Sequence, residues 1–330
     1  MEEARRALLS LLVRLGAADL PSLAALAALH PQDAQAHLAW LEEAGWASSA
    51  PVALSAADTA RIYVPAAELA RRLTQRWSEE QLALLPLGDQ EAAQRLAAAP
   101  LVLALLQALR SLAEGARTQG MAIVRLRCLP LSRRASDLLP RGLAALAALR
   151  VGDGYAPLLL YLDHDALPAA ARKEAARTWC RAAYRDPWLQ ATPLLVLAPG
   201  LVEEGQWADQ LSASARARGL GRALVYLASH QAAPDMWGSW WRRWDSPRRA
   251  PLLERLTRLR RLPEPFAPNL SLPGEVLQRP PPGRQAPRLG GNAAQALSLS
   301  GVARETVCAL RRHPLSEPAT LAQHLGVGEE

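Results

Sequence analysis

The sequence predicts an α/β protein whose sheet is covered by helices. Between Pro100 and Trp244 the apolar patterns follow the order helix, three strands, helix, strand, helix, strand, and this alternation is typical of an α/β domain. Within it, "GDG" at Gly152–Gly154 separates two apolar runs and predicts a hairpin, because glycine permits the positive φ of a tight turn. Hydrophobic residues make up 50% of the 330-residue chain, enough for one large domain or for several smaller ones.

Each strand is predicted from its period and its boundaries. "MAIVRLRCL" alternates, with Ile123, Leu126 and Cys128 as the inward positions, which is typical of a half-buried strand. The hairpin follows, and its second strand ends in "LLLYLDHD", Leu158 to Asp165. Beyond it, "PAAARKEAARTWCRAAY" predicts a helix, "TPLLVLAP" a buried strand, "QWADQLSASARARG" a helix and "GRALVYLASH" a last strand.

The first 75 residues change from helical periodicity to a ribbon pattern. "ARRALLSLLVRLG" places Leu8, Leu11, Leu12 and Leu15 on one helix face, while "DLPSLAALAALH" and "PQDAQAHLAWLEEAGW" predict a second and a third helix. "PVAL" and "RIYV" then predict two short strands around a polar turn. Three helices followed by a two-stranded ribbon are the layout of a winged helix-turn-helix domain.

In such a domain the third helix reads base edges and neighbouring cations hold the phosphates. We expect base contacts from Gln32, Gln35 and His37, and phosphate contacts from residues after the ribbon turn, namely Arg61, Arg71 and Arg72. The third helix also carries three acids and neither lysine nor arginine. The alternative is therefore a winged helix used for protein contact or dimerisation.

The segment after the last strand combines tryptophan with arginine. Trp237, Trp240, Trp241 and Trp244 are spaced by three and four residues, which predicts a helix with several indoles on one face. That helix would either seal the α/β core or offer a stacking platform to single-stranded nucleic acid. The arginines of this region are our second set of candidate phosphate contacts: Arg242, Arg243, Arg248, Arg249, Arg258, Arg260 and Arg261.

The chain beyond this segment is rich in proline and glycine and then becomes helical again. "VARETVCALRRHPLSEPATLAQHLGVGEE" predicts two helices of a second helix-turn-helix, and the sequence stops at Glu330, where a recognition helix would begin. Either the chain is a truncated fragment, the alternative that we favour, or this tail is an appendage completed by a partner. The predicted divisions are a winged helix-turn-helix over 1–75, a connector over 76–99, an α/β domain over 100–262, a Pro/Gly-rich linker over 263–296 and a partial helix-turn-helix over 297–330.

This order of parts resembles the replication-relaxation family of bacterial plasmids and integrative elements. The stretches that carry the resemblance are "LAWLEEAGW" with "RIYVP", then "LPRGLAALAALRVGDGYAPLLLYLDHDALPAAARKEAARTWCRAAY", then "TPLLVLAPG". They cover about Ala4 to Trp244. The resemblance implies a winged helix joined to a restriction-endonuclease-like domain of the PD-(D/E)xK type, and a role in the DNA transactions of mobile elements.

In the PD-(D/E)xK fold, one acid lies on the first hairpin strand, and a second acid and a lysine lie two residues apart on the next strand. Alternation then directs acid and lysine to the same metal-bound water. Here Asp163 takes the position of the second acid, while Asp165 stands at the lysine position and Gly142 at the first acid. We therefore expect a degenerate domain with no cofactor. In the nuclease alternative, Asp163 and Asp165 bind Mg²⁺ and Lys173 supplies the cation.

The overall charge favours nucleic acid as a partner. The formal net charge is +7, and basic proteins attract phosphate backbones. No stretch has the pattern of a signal peptide or membrane span, and the three cysteines match no zinc spacing, so we expect a cytoplasmic protein. The leading hypothesis is a non-enzymatic DNA-binding protein acting in replication, transfer or regulation. The alternatives are a nuclease and an adaptor that binds a protein partner or a second copy.

Overall fold

The computed structural model describes residues 2–54, 59–131, 143–164, 168–216, 224–262 and Leu272. Over these residues the protein is mixed α/β, as the sequence predicts, with one three-stranded and one seven-stranded sheet. The predicted linker, apart from the buried Leu272, and the predicted second helix-turn-helix lie outside the described residues.

The N-terminal part contains three helices and a small antiparallel sheet in the order β1-β3-β2. The three predicted helices and both ribbon strands are confirmed, whereas β1, only two residues long, was missed. Its last residue, Asp19, caps the second helix by accepting a hydrogen bond from the Ser22 backbone N at 3.2 Å. The elements are α1 (Glu2–Leu15), β1 (Ala18–Asp19), α2 (Leu20–Ala27), α3 (Pro31–Glu43), β2 (Ala47–Ala53) and β3 (Thr59–Pro65).

Three short helices follow: α4 (Ala67–Thr74), α5 (Glu79–Ala83) and α6 (Asp89–Ala97). The last two occupy the predicted connector, which is packed into the fold. On α6, the buried Arg95 Nε donates to Glu91 Oε1 at 2.9 Å, and Leu131 N donates to the same carboxylate at 2.8 Å. A buried ion pair within α6 thus ties the connector to the backbone at Leu131.

The larger sheet has the order β10-β9-β8-β7-β6-β5-β4. Strands β4, β5 and β6 form an antiparallel meander, β6, β7 and β8 run parallel, and β9 and β10 return antiparallel. The elements are α7 (Ala99–Thr118), β4 (Ala122–Cys128), β5 (Leu143–Val151), β6 (Gly154–Leu162), α8 (Ala169–Arg185), α9 (Pro187–Ala191), β7 (Leu194–Ala198), α10 (Leu201–Arg216), β8 (Val225–Ser229), β9 (Trp241–Arg243) and β10 (Arg249–Ala250).

A β-bulge in β4 explains which of its side chains face inward. The pairing with β5 shifts register between Ile123 and Arg125, and an extra residue in a strand moves the following side chains to the other face. Ile123, Leu126 and Cys128 therefore all pack against the same core although the first two are three positions apart. Val124, inside the bulge, packs on the opposite side of the sheet.

The sheet lies between two helical layers. Helices α8 and α10 cover one face, where Trp179 and Trp207 are fully buried. The other face is covered by α7 and by the N-terminal helices: α1 contacts β4 and α2 contacts α7. One continuous apolar core therefore extends from α1 through the larger sheet.

Helix α7 has the length and composition of a membrane-crossing segment, which no other described helix has. Here it contacts α2, β4 and β5, and its buried residues include Leu105, Leu109 and Leu112. Half of its most apolar 18-residue stretch is buried inside the protein. In this structure α7 is a core helix of the fold.

The predicted helix over the tryptophan cluster is wrong. Turns around Gly238 lead into β9, which pairs with β8. Residues three apart share a helix face but lie on opposite faces of a strand, and Trp241 accordingly packs into one core while Trp244 packs into the other. Only Trp240 is exposed, so the cluster seals both sides of the sheet and does not form a row of stacking indoles.

Candidate functional site

Asp163, the acid at the end of β6, is fully buried and its carboxylate is surrounded by donors. Oδ2 accepts hydrogen bonds from Arg172 Nε at 2.6 Å and Trp207 Nε1 at 2.9 Å, and Oδ1 accepts one from the His164 backbone N at 2.7 Å. The strand positions this acid, because Asp163 N donates to Leu197 O of β7. The carboxylate thus has the donors that a buried charge requires.

A second ring of contacts fixes Arg172. Its Nη1 donates to Gln206 Oε1 at 3.2 Å and its Nη2 donates to His164 O at 3.1 Å. His230 Nε2 lies 2.8 Å from Asp163 O, and since a carbonyl only accepts, this nitrogen carries the proton. Helices α8 and α10 and the end of β8 are therefore tied together at the carboxyl ends of the parallel strands.

Burial around this cluster also affects Tyr161, which lies two residues earlier on β6. Desolvation raises the pKa of its hydroxyl, and the nearby Asp163 carboxylate acts in the same direction. The Tyr161 ring meets the Trp207 ring edge-on, with centroids 5.5 Å apart. Asp163 thus lies in a buried, closely packed part of the core.

The proposed nuclease residues do not converge among the described residues. Asp165 lies outside them, and Lys173 is exposed, whereas its neighbour Arg172 points inward because consecutive helix residues differ by about 100°. In the described ranges, no group of three or more acids, histidines or cysteines could hold a metal ion. The residues around Asp163 do not fit Mg²⁺, since protein donors engage both carboxylate oxygens.

The predicted base-reading residues lie on α3. Gln32 and Gln35 are exposed and His37 is half-buried. At the last turn of α3, Arg61 of β3 donates through Nε to Ser49 Oγ at 2.7 Å and pairs through Nη2 with Glu42 Oε2 at 3.1 Å. Arg61 therefore links the ribbon to α3 in this structure.

The two arginines of α4 share one acid. Arg71 Nη1 lies 2.5 Å and Arg72 Nε 3.2 Å from the Glu68 carboxylate. The Arg72 guanidinium also lies 4.6 Å from the centroid of the Trp46 ring. Two of the three predicted phosphate contacts of this part are thus paired along their own helix.

The arginines after the tryptophan cluster divide into two sets. Arg242 and Arg249 both pair with Glu204, a buried carboxylate on α10, and Arg243 pairs with Asp245 at 3.0 Å. The two pairs with Glu204 fasten β9 and β10 to α10. Sequence reasoning missed Glu204, because its partners are some forty residues away and no local pattern joins them.

The second set is exposed: Arg248, Arg258, Arg260 and Arg261. In the same segment of the chain, Leu259 exchanges two backbone hydrogen bonds of 2.7 Å with Tyr155, at the beginning of β6. The Arg258 guanidinium lies over the β5–β6 turn, where a Cβ on Gly154 would be 2.9 Å from its Nε. This pairing fixes the backbone that presents Arg260 and Arg261 to solvent.

No protein-family model, curated protein or solved structure matches this chain. The resemblance to the replication-relaxation family therefore stays a prediction.

Proposed function

We propose that the protein binds DNA without cleaving it. The observation that carries the proposal is the element order α1–β1–α2–α3–β2–β3 with an antiparallel sheet, which agrees with the expected winged helix-turn-helix. In that arrangement α3 is the reading helix, and its exposed Gln32 and Gln35 have the amide groups that recognise adenine edges.

Electrostatics supports the same function. The chain carries a net charge of +7, and Arg248, Arg258, Arg260 and Arg261 are exposed. The pairing of Glu42 with Arg61 also neutralises one of the acids on which the adaptor alternative depends. Exposed arginines together with an exposed reading helix favour nucleic acid over a protein partner.

The environment of Asp163 supports binding without hydrolysis. A catalytic acid of a metal-dependent nuclease must offer oxygen atoms to the ion, but Arg172, Trp207 and the His164 amide engage those of Asp163. The order α7–β4–β5–β6–α8–β7 agrees with the nuclease-like domain that the resemblance implies. We infer a domain whose acid has become structural, in a protein that serves the replication, transfer or regulation of a mobile element in the cytoplasm.

Fluorescence anisotropy with a labelled duplex tests the binding. We expect log affinity to fall linearly with log salt, because the phosphate contacts release counterions. In R260Q/R261Q the slope should become shallower by about 1.8, since each lost contact removes about 0.9. Q32A/Q35A should reduce the preference among sequences and leave the slope unchanged. Absence of binding to any duplex at low salt would contradict the proposal.

Incubation with DNA and Mg²⁺ or Mn²⁺ tests the lack of cleavage. We expect no products from the wild-type protein. Cleavage that disappears in Asp163→Asn, with the fold retained, would replace the proposal with the nuclease alternative.

A further inference from the structure

Helix α8 has an exposed basic row, none of whose members is among the DNA contacts that the sequence predicts. Lys173, Arg177, Arg181 and Arg185 follow one another at intervals of four residues, and all four are exposed. Neither an ion pair nor a side-chain hydrogen bond joins any of their side chains to another described residue. The exposed acid of the same helix, Glu174, accepts from Thr178 Oγ1 at 3.4 Å. We call these four residues the α8 row.

The inner face of α8 keeps this row pointed at solvent. Ala176, Trp179 and Ala183 are buried against the sheet. The helix cannot rotate without exposing them, so the row stays on the outer face of α8, where each member is offset by about 40° from the one before. Four residues advance an α-helix by about 6 Å, and the row therefore extends about 18 Å along the helix axis. Phosphates of one DNA strand advance about 3.4 Å per nucleotide along the duplex axis, so the row spans about five nucleotides.

The row lies on the same side of the sheet as the end of the arginine segment. Leu262, next to Arg260 and Arg261, packs against the core that α8 covers, and so does Ala182 of α8. Helix α8 begins after the end of β6 and returns in the direction opposite to that strand. Arg185, the last residue of α8, therefore lies towards the end of the sheet at which β7 begins and at which Leu259 pairs with Tyr155. Leu262 and α8 thus lie on one side of the sheet, and Arg260 and Arg261 directly precede Leu262 in the chain.

We propose that the α8 row is a phosphate-backbone contact for nucleic acid, continuous with Arg260 and Arg261. Three of its four members are arginines, whose guanidinium group matches phosphate oxygens in pairs. An anionic membrane is the less suitable partner, because an interfacial helix inserts its apolar face into lipid and the apolar face of α8 is buried in the protein. The inference rests on the proposed DNA binding and assigns to it a surface away from α3.

The test compares two variants that each remove two positive charges from the full chain: R177Q/R181Q in the row, and R6Q/R110Q on α1 and α7 as the matched control. Affinity for a labelled duplex and for a single strand of equal length is measured by anisotropy from low to physiological salt. In R177Q/R181Q the log–log slope for the duplex should become shallower by about 1.8. R177K/R181K should retain the wild-type slope, since lysine keeps the charge, and melting temperatures should show that every variant is folded.

The outcomes separate this inference from the proposed function. Wild-type binding with a slope that is unchanged for both the duplex and the single strand in R177Q/R181Q overturns the inference alone, as does an equal loss in R6Q/R110Q, which reflects net charge only. A slope that changes with the single strand and not with the duplex assigns the row to unpaired nucleic acid and supports the phosphate contact. Wild-type protein that binds phosphatidylserine vesicles and neither form of DNA overturns the inference and the proposed function together.

Discussion

Several arginines of this protein form ion pairs with buried acids inside the fold. The three acids that are buried among the described residues each hold arginine: Glu91 pairs with Arg95, Asp163 with Arg172, and Glu204 with Arg242 and Arg249. A buried carboxylate requires such partners, because removal from water costs several kcal/mol. The number of arginines in the sequence therefore overstates the surface that is left for phosphates.

Asp163→Asn tests the structural role of the buried acid. The change leaves the Arg172 guanidinium without its charge partner in the core, and we expect the free energy of unfolding to fall by about 3–5 kcal/mol. The control Lys173→Met alters the exposed neighbour and should change stability by no more than about 0.5 kcal/mol. Chemical denaturation measures both. Wild-type stability in Asp163→Asn would show that the pair contributes little to the fold.

Because of the buried Tyr161, we expect the free energy of unfolding to decrease at alkaline pH. Burial raises its pKa in the folded protein, so above about pH 10 the unfolded chain releases a proton that the folded chain keeps. The free energy of unfolding is then highest below that pH and falls as the pH rises further, by at most about 1.4 kcal/mol per pH unit for this group. In Tyr161→Phe the decline between pH 9 and 11 should be smaller. An unchanged decline would assign it to other groups.

At the level of the element, α7 approaches the tryptophan segment through a glycine. Trp237 Nε1 donates to Leu112 O at 3.1 Å, and a Cβ on Gly115 would overlap the indole ring. The absence of a side chain at this position lets the indole lie on the helix backbone. The helix thus holds the segment that leads to β9.

Gly115→Ala and Gly205→Ala should change stability in opposite directions. Alanine ordinarily stabilises a helix interior by about 0.5–1 kcal/mol relative to glycine, and Gly205 of α10 has open space around it. At Gly115 the added methyl displaces Trp237, and we expect a loss of about 1–3 kcal/mol. Thermal denaturation of both variants measures the difference. A stabilised Gly115→Ala would mean that the indole moves aside without cost.

At the scale of the whole molecule, the N-terminal helices and the larger sheet share one core. Helix α1 contacts β4, and the same apolar cluster contains Leu8 and Leu158. The boundary near residue 75 that the sequence predicts is therefore crossed by buried contacts. Two parts with a common core unfold together when neither buries enough surface by itself.

Denaturation of the full chain should accordingly show one transition. Trp46 lies in the N-terminal part and Trp179, Trp207 and Trp241 in the larger sheet region, and all are fully buried. Tryptophan fluorescence and far-ultraviolet circular dichroism should then give coincident curves in urea. Two separate steps would show that the N-terminal part unfolds independently.

Much of this architecture follows from local patterns. The hairpin at Gly152–Gly154, the buried strand "LLVLA" and the three N-terminal helices were predictable because period, glycine and capping residues act over a few positions. The tryptophan segment was not, since a spacing of three and four suits a helix until pairing with β8 imposes a strand. The pairing with β8, a tertiary contact, therefore determined the secondary structure of that segment.

The candidate site was less predictable than the fold. Exposed Gln32 and Gln35 follow from the helical period of α3, but the pairing of Arg61 with Glu42, or of Arg249 with Glu204, joins residues that are distant in the chain. The α8 row was visible as a repeat of basic residues every four positions. The sequence alone did not show that the opposite face of α8 is buried, and this burial directs the row outward.

The two outermost strands of the larger sheet restrict how copies of the protein can associate. Strand β10 is only two residues long, and β4 combines a bulge with Arg125 and Arg127. Edge strands that are short, bulged or charged disfavour backbone hydrogen bonding with a strand of another molecule. If a homodimer forms, we therefore expect it to join through helical surfaces, and β-augmentation into a longer intermolecular sheet to be disfavoured.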